Sequence, residues 1–253
     1  MDMQSYSDAM VVPSVDTGKR RGHTVRIALL EDDPDQAILF QTWFAKGGHR
    51  CEHFADGKSF IRSVKRDSFD MLILDWMVPE MSGLDVLKWV RQNIDWPIPT
   101  VFITAMDAED DVVRALEAGA DDYIQKPAKE REMMARISAV VRRSGQVEEE
   151  STSIDCAPFC VDLANHEILK NGEVVDVTQK EYELIAFLFR NVGRVLSRAH
   201  ILESVWGRNP DINTRTVDTH VSRIRSKLKL NEEPGWKLSS IYQHGYRLER
   251  LNG

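Results

Sequence analysis

The sequence predicts two domains, a doubly wound α/β domain with a five-stranded parallel sheet and then a smaller α+β domain. Up to about residue 145, five short apolar runs alternate with five segments of helical periodicity, which is typical of a parallel sheet covered by helices on both faces. After residue 153 the pattern changes, because short strand-like runs come first and three helical segments follow. The length of 253 residues suits two domains of ordinary size.

The first predicted domain spans residues 25–145 and follows a polar, non-periodic tail, residues 1–24, that we expect to be disordered. Its strands are predicted at 25–30, 49–55, 71–75, 100–104 and 123–125, and its helices at about 36–46, 58–65, 83–92, 109–118 and 130–143. The spacing in the first helix predicts one buried side made of Ile38, Leu39, Trp43 and Phe44. Ligands of such sheets bind beyond the carboxyl ends of the strands, so the residues that follow each strand are the candidates for a site.

The second predicted domain spans residues 154–251 and follows a linker, residues 146–153, in which three consecutive glutamates show no apolar periodicity. Its strands are predicted at 159–162, 167–170 and 173–175, its helices at about 179–190, 198–205 and 216–228, and a terminal hairpin at 236–241 and 246–249. Thr178 and Ser197 are suitable N-cap residues, and Glu181 would complete a capping box with Thr178.

Composition excludes several classes of protein. Hydrophobic residues make up 42% of the chain and charged residues 29%, which argues against a disordered, collagen-like or membrane protein. No apolar run approaches the roughly 18 residues of a membrane helix. The chain has three cysteines. Cys156 and Cys160 are four residues apart, but no second pair of Cys or His residues lies at the spacing of a zinc site. The cysteines therefore predict reduced thiols and a cytoplasmic location. The net charge of −7 by itself argues against a nucleic-acid partner.

Acidic residues collect at the predicted strand ends of the first domain. Glu31 and Asp32 follow the first strand, Asp75 ends the third, Thr104 ends the fourth, and Lys126 follows the fifth. Clustered carboxylates with oxygen ligands favour a hard cation such as Mg²⁺. A metal, a hydroxyl and an ammonium around one further carboxylate predict a phosphoryl-transfer site in which Asp75 attacks.

Residues 25–145 resemble a response-regulator receiver domain, which has a flavodoxin-like fold. The segments that carry the resemblance are LLEDD, LILDWMVPEMSGLDVL, FITA and GADDYIQKPA. The resemblance implies that Asp75 accepts a phosphoryl group from a sensor histidine kinase. It also implies that Mg²⁺ or Mn²⁺ is bound by Asp32 and Asp75, by the backbone carbonyl of Met77, and by Glu31 through water.

The same resemblance assigns the residues around the phosphoryl group. It implies that Thr104 and Lys126 bind this group and that Tyr123 is an aromatic switch that follows Thr104 inward. It also implies a cis peptide bond between Lys126 and Pro127, and it makes Asp33 a surface or cap residue.

An enzyme is the alternative from another class. Phosphatases of the haloacid dehalogenase type also use an aspartate nucleophile with Mg²⁺, but they carry a second acid two residues later, where this chain has Met77. A dinucleotide-binding enzyme would need a glycine-rich GxGxxG turn after the first strand, where this chain has EDDPDQ. We therefore expect a protein that is not an enzyme.

One helix of the second domain is basic on one side and apolar on the other. Residues 215–229 contain five basic residues and one acid, Asp218. Apolar residues recur at helical spacing along this segment, at Val217, Val221, Ile224 and Leu228. Such a helix suits the major groove of DNA, although the charge run alone favours a solvated surface helix.

Residues from about 154 to 251 resemble the winged-helix effector domain of OmpR/PhoB-type regulators. The matching segments are VTQKEYELIAFLFRNVGRVLSR, Trp206-Gly207, RTVDTHVSRIRSKL and GYRL. The resemblance implies double-stranded DNA as a partner, with Arg223 as the main base reader. It implies further contacts to phosphates or base edges from Arg215, Thr216, Thr219, His220, Lys227, Trp206 and Ser240, and it assigns residues 207–213 to a loop that faces RNA polymerase.

The chain departs from these families at several positions. Tyr242 replaces the wing arginine that enters the minor groove. Family homodimers form on phosphorylation through a face made of the fourth helix, fifth strand and fifth helix of the receiver. For this face the chain has one matching charge pair, Asp122 with Arg136, and an apolar patch of Val113, Leu116 and Ala135. Two other charge pairs are broken by Val112 and Ser138, and Ala128 replaces the usual Phe. The sequence thus predicts a phosphorylation-switched transcription regulator, with a phosphorylation-independent DNA-binding protein as its alternative.

Overall fold

A computed structural model describes residues 24–144, 152–207, 212–231 and 235–251. Residues 1–23 of the predicted tail, residues 146–151 of the predicted linker, and residues 208–211 of the loop assigned to RNA polymerase lie outside the described residues. No helix in the described ranges is long and apolar enough to cross a membrane.

The first domain has the predicted alternation of strands and helices. Its elements are β1 (Arg26–Leu30), α1 (Pro34–Lys46), β2 (Arg50–Phe54), α2 (Gly57–Val64), β3 (Met71–Leu74), α3 (Gly83–Asn93), β4 (Thr100–Thr104), α4 (Glu109–Glu117), β5 (Asp122–Gln125) and α5 (Glu130–Arg143). The strands form one parallel sheet in the order β2-β1-β3-β4-β5, which confirms the doubly wound α/β fold.

Both faces of this sheet are buried. Ile27 and Leu29 of β1 point to the side covered by α1 and α5, whereas Ala28 and Leu30 point to the side covered by α2, α3 and α4. Successive residues of a strand face opposite sides, so a strand buried on both sides is apolar at every position.

The buried face of α1 differs from the prediction. Ile38 and Leu39 are 61% and 44% exposed, so their assignment to the core was wrong. Ala37, Phe40 and Phe44 are buried instead, at the spacing i, i+3 and i+7 of one helical face. Of the four predicted residues, Phe44 is fully buried, and Trp43 packs partly buried against the core.

The second domain combines two antiparallel sheets with three helices. Its elements are β6 (Ser153–Cys156), β7 (Phe159–Asp162), β8 (Glu167–Lys170), β9 (Glu173–Val175), α6 (Gln179–Arg190), β10 (Leu196–Ser197), α7 (Arg198–Trp206), α8 (Arg215–Leu228), β11 (Trp236–Ile241) and β12 (Gly245–Arg250). Strands β6 to β9 form a four-stranded sheet, and β10, β12 and β11 form a second sheet in that order.

Two short strands of this domain were not predicted. β6 begins at Ser153, the last residue assigned to the linker, and the two-residue β10 pairs with β12. The predicted capping box of α6, in which Thr178 and Glu181 satisfy each other's backbone N–H groups, is confirmed. Ser197 caps α7 as predicted, by accepting from the backbone N–H of His200.

Buried polar contacts join the two domains near the start of β3. Arg194 donates to a carboxylate oxygen of Asp70 at 2.9 Å, and the Ser197 backbone N–H donates to Ser68 Oγ at 2.9 Å. Ser68 Oγ also lies 2.8 Å from Nδ1 of His200. At this junction Ser68, Asp70, Ser197 and His200 are each less than 5% exposed.

Charged residues surround this buried junction. Arg26 and Arg50 of the first domain both pair with Glu203 on α7. Arg26 also binds Asp67 with two hydrogen bonds, and Asp67 accepts from the hydroxyl of Ser197. Ion pairs and hydrogen bonds between the two domains thus surround the buried contacts of Ser68, Asp70 and His200.

Candidate functional site

The predicted strand-end residues converge at one edge of the parallel sheet. Glu31 and Asp32 follow β1, and Asp75 follows the adjacent strand β3. Ligand oxygens of these three residues lie within 4.8 Å of one another. The sheet order therefore places three carboxylates in one pocket, as the position of each at a strand end predicted.

Lys126 lies against two of these carboxylates. Its Nζ is 2.6 Å from Oδ2 of Asp75 and 2.8 Å from Oε2 of Glu31. Burial raises the pKa of Glu31, and the ammonium of Lys126 opposes this rise only in part. Burial would lower the pKa of Lys126, but its hydrogen bonds to Asp75 and Glu31 outweigh burial and raise that pKa.

The donor set of this pocket fits a divalent cation. Three carboxylates and one ammonium leave an excess of negative charge, while Glu31 is 1% and Asp75 6% exposed. Asp32 is exposed at the rim of the pocket. All ligands are oxygens, which Mg²⁺ and Mn²⁺ prefer. The Met77 backbone N–H donates to Asp75 Oδ1 at 3.2 Å, which places this peptide next to the predicted metal ligands.

Thr104 and Tyr123 meet at one backbone residue, Met106. The Thr104 hydroxyl oxygen accepts from the Met106 N–H at 3.3 Å, and the Tyr123 hydroxyl donates to the Met106 carbonyl at 2.6 Å. Thr104 is fully buried, and Tyr123 stacks on Phe102. Burial raises the pKa of Tyr123 to about 12, with a contribution from nearby aspartates, so its hydroxyl remains a donor.

Sequence reasoning missed two residues that shape this pocket. A Cβ atom on Gly83 would lie 2.0 Å from the carbonyl oxygen of Asp75, so only glycine lets α3 approach this backbone. Nε2 of His53 lies 2.7 Å from the carbonyl oxygen of Glu31 and fixes the chain after β1. Gly83 lies inside the segment MSGLDVL, which carries part of the receiver resemblance, but His53 gave no signal in the sequence. The Lys126–Pro127 peptide is cis, as expected, and Asp33 caps α1.

The basic helix α8 has the predicted two faces. Its apolar stripe, Val217, Val221, Ile224 and Leu228, is completely buried. Arg215, Thr219 and Arg223 are exposed on the other side. Arg223 makes no hydrogen bond or ion pair with any residue in the described ranges, so its guanidinium group is available to a ligand.

Both domains match families of known proteins. Residues 27–138 match the family described as response regulator receiver domain, and residues 172–248 match the family described as transcriptional regulatory protein, C terminal. The sensory transduction protein RegX3 of Mycobacterium tuberculosis is 36% identical over 225 residues, which is 88% of this chain and 98% of that protein. The phosphate regulon transcriptional regulatory protein PhoB of Rhizobium meliloti is 33% identical over 225 residues, with the same coverage.

The chain belongs to the OmpR/PhoB family of response regulators. An OmpR/PhoB response regulator is a two-component transcription regulator that works with a histidine kinase and binds DNA, and it is not an enzyme. The phosphatase alternative is therefore excluded. Receiver domains of this family bind Mg²⁺ at the acidic pocket, which here consists of Glu31, Asp32 and Asp75.

Several residues predicted to contact DNA are engaged inside the effector domain of this OmpR/PhoB protein. Lys227 pairs with Glu181 at 2.8 Å and donates to the Asp176 carbonyl at 3.0 Å, which ties α8 to the start of α6. The ring of Trp206 packs on His220, with centroids 4.9 Å apart. Lys227, Trp206 and His220 thus make contacts that stabilise α8 in the free protein. Their contacts to DNA remain predictions.

The rest of the predicted DNA surface lies beside α8. His220 Nδ1 is 2.9 Å from the carbonyl oxygen of Thr216, within the same helix. Ser240, on β11, has its hydroxyl 3.1 Å from the guanidinium of Arg225. Tyr242 lies between β11 and β12 and is 85% exposed. The aromatic residue that replaces the family's wing arginine thus has an exposed side chain.

The face assigned to the dimer is exposed in the OmpR/PhoB receiver domain. Val113, Leu116 and Ala135 form an apolar surface on α4 and α5. Arg136 pairs within its own chain, with Asp122 at 3.3 Å and with Glu132 at 3.0 Å. The predicted charge pair therefore exists inside the monomer, where it would compete with pairing across a dimer.

Proposed function

We propose that this regulator is switched by transfer of a phosphoryl group from a phosphohistidine of a sensor kinase to Asp75. The observation that carries the proposal is the ammonium of Lys126, 2.6 Å from Asp75, beside two further carboxylates. A carboxylate held by a cation at a sheet edge suits a nucleophile whose product carries extra negative charge.

The chemistry at Asp75 is a displacement at phosphorus. A carboxylate oxygen of Asp75 forms the new P–O bond, the P–N bond to the imidazole breaks, and the imidazole keeps the bonding electron pair. Bound Mg²⁺ or Mn²⁺, held by Asp32, Asp75, the Met77 carbonyl and Glu31 through water, would neutralise charge on the phosphoryl oxygens. Lys126 and the Thr104 hydroxyl would each bind one of those oxygens.

The contacts of Met106 supply a route from the phosphoryl group to Tyr123. A Thr104 hydroxyl drawn toward a phosphoryl oxygen on Asp75 would lengthen its contact with the Met106 N–H, which is already 3.3 Å. The Met106 peptide then moves, and Tyr123, whose hydroxyl is bonded to the carbonyl of Met106, moves with it. Met106 and Tyr123 border α4. The new charge on Asp75 therefore shifts the balance between conformations of the α4–β5–α5 face.

The altered face would form a homodimer through Val113, Leu116 and Ala135, with Asp122 and Arg136 at its edge. A dimer places two copies of α8 on repeated half-sites of promoter DNA, in the cytoplasm where the kinase domain also acts. Arg223 would bind guanine with two hydrogen bonds, while Arg215, Thr216 and Thr219 contact phosphates or base edges. The segment 207–213 would face RNA polymerase.

Phosphorylation and DNA binding can be tested together. The full chain is incubated with a radiolabelled small-molecule phosphodonor and Mg²⁺, and DNA affinity is then measured for wild type, Asp75→Ala and the control Asp95→Ala. Asp95 is an exposed aspartate outside the pocket. We expect wild type and the control to be labelled and to bind DNA more tightly, and Asp75→Ala to do neither.

Each alternative has its own outcome. Absence of label in the wild type would contradict the assignment of Asp75. Label without any change in DNA affinity would favour the alternative in which DNA binding is independent of phosphorylation.

A further inference from the structure

A cleft of about 490 Å³ lies between the receiver and the DNA-facing edge of the effector domain. Arg62 and Arg66, at the end of α2, line one wall. Arg198, Thr214 and His244 line the other.

The described residues that line this cleft give it a positive charge, because the one acid among them, Asp67, is neutralised. Asp67 is bound by two nitrogens of Arg26, at 2.8 and 3.0 Å. Arg198 is similarly compensated by Asp218, at 2.8 Å. Arg62 and Arg66 are exposed, lie about one helical turn apart, and make no ion pair within the described residues. Two guanidinium groups without an ion pair to a described residue therefore line the cleft.

The opposite wall comes from the elements that surround α8. Thr214 directly precedes α8, and His244 is in the turn between β11 and β12. Arg198 is the first residue of α7, a helix of nine residues whose amino end faces the cleft and favours an anion there. A duplex lying along α8 would therefore bring its backbone to the mouth of this cleft.

The orientation of α2 against this edge is fixed by the domain junction. Ser68 and Asp70, which follow α2 in the chain, are buried against Ser197, His200 and Arg194 of the effector domain. Asp67 accepts from the hydroxyl of Ser197, one residue before Arg198. The receiver's α2 is thus held next to the first turn of α7.

We propose that the cleft is a second phosphate-binding surface, in which Arg62 and Arg66 of the receiver hold the backbone of the DNA that α8 reads. This inference rests on the proposed binding of DNA by α8. It assigns the receiver a direct contribution to affinity, in a chain whose net charge of −7 otherwise disfavours nucleic acid.

The test uses the full chain and a fluorescently labelled mixed-sequence duplex of 40 base pairs. Affinity is measured by anisotropy between 50 and 200 mM salt for wild type, R62A/R66A, R62K/R66K and the control K88A/R142A. Lys88 and Arg142 are exposed on α3 and α5, outside the cleft, and their removal changes the net charge equally.

We expect R62A/R66A to bind about tenfold more weakly at 50 mM salt. Each lost phosphate contact makes the slope of log affinity against log salt less negative by about 0.9, so the slope of the double variant should be shallower by about 1.8. R62K/R66K should recover most of the affinity, and K88A/R142A should keep the wild-type slope.

Three results would overturn the proposal: an unchanged slope in R62A/R66A, an equal loss in the control, or tighter binding by R62A/R66A, which would mean that α2 obstructs DNA. Failure of α8 to bind DNA is recognised separately. In that case the wild type itself shows no binding to the duplex at any salt concentration tested.

Discussion

The hydroxyl oxygen of Ser68 lies 2.8 Å from Nδ1 of His200, and this contact joins the receiver to the effector domain. Ser68 also accepts from the backbone N–H of Ser197, and Nε2 of His200 lies 3.8 Å from a carboxylate oxygen of Asp70, which favours a ring hydrogen on that nitrogen. The hydrogen-bond network therefore assigns His200 as a neutral imidazole with its hydrogen on Nε2, on the side of Asp70. Burial lowers the pKa of His200 to about 4.

We expect the domain junction to weaken as pH falls. The pKa of His200 is depressed below its ordinary 6.5, so the separated state binds the extra proton between pH 6.5 and 4. The stabilisation of the junction by neutral His200 is therefore complete above pH 6.5 and is lost as pH falls through 4. The largest loss of free energy is about 3 kcal/mol. Asp70 and Asp67 keep lowered pKa values, so they remain charged in this range.

Hydrogen exchange of the residues near Ser68, followed between pH 7.5 and 4.5, measures this effect. His200→Gln removes the titrating group, so its exchange at the junction should depend less on pH than that of the wild type. Identical pH profiles for both proteins would contradict the role of His200.

The sequence predicted the sheet and its acidic pocket because both follow from local patterns. Strands that alternate with helices define the parallel sheet, and its carboxyl edge gathers Glu31, Asp75 and Lys126. The buried side of α1 was assigned wrongly because Ile38 and Leu39 are as apolar as the residues that replace them in the core, Ala37 and Phe40. Hydropathy alone does not choose between adjacent helical faces.

The domain junction could not be predicted from any local pattern. Ser68 and His200 are 132 residues apart, and neither is unusual in its own segment. Lys227 is a similar case, since its position on a basic helix predicts a DNA contact while its ion pair with Glu181 depends on how α6 packs. Contacts between distant elements appear only when the chain is folded.

Removal of Lys126 should destabilise the receiver and favour cation binding. Lys126→Met leaves the buried carboxylates of Glu31 and Asp75 without a counterion, which costs about 3–5 kcal/mol in comparable buried pairs. We expect a lower urea midpoint without Mg²⁺, and a larger stabilisation by Mg²⁺ than in wild type because no ammonium competes for the oxygens. Urea unfolding with and without 10 mM Mg²⁺ measures both effects, with Lys88→Met as the control. A variant as stable as wild type in the absence of Mg²⁺ would refute this account.

Gly83→Ala should disturb Asp75 through the backbone. The new methyl group would lie 2.0 Å from the carbonyl oxygen of Asp75 and 2.9 Å from its carbon, so β3 and α3 must separate. Overpacking of this kind costs about 1–3 kcal/mol. We expect a lower melting temperature and less phosphoryl label on Asp75, both compared with Lys88→Ala on the same helix. Unchanged labelling would show that the pocket tolerates the shift.

Two arginines of α8 should separate base reading from stability. Arg225 donates to the Leu238 carbonyl at 2.6 and 2.9 Å and lies over the ring of Tyr246, whereas Arg223 has no contact of this kind in the described structure. Arg225→Ala should lower the free energy of unfolding by about 1.5–3 kcal/mol, because a charged donor to a partly buried carbonyl is lost.

Arg223→Ala should change the free energy of unfolding by less than about 0.5 kcal/mol. Instead it should reduce discrimination at one base pair by about 1–3 kcal/mol, since a bidentate contact to guanine is lost. Urea unfolding gives the first quantity, and affinities for a set of singly substituted duplexes give the second. If Arg223→Ala weakens binding to every duplex equally, Arg223 contacts phosphate and does not read a base.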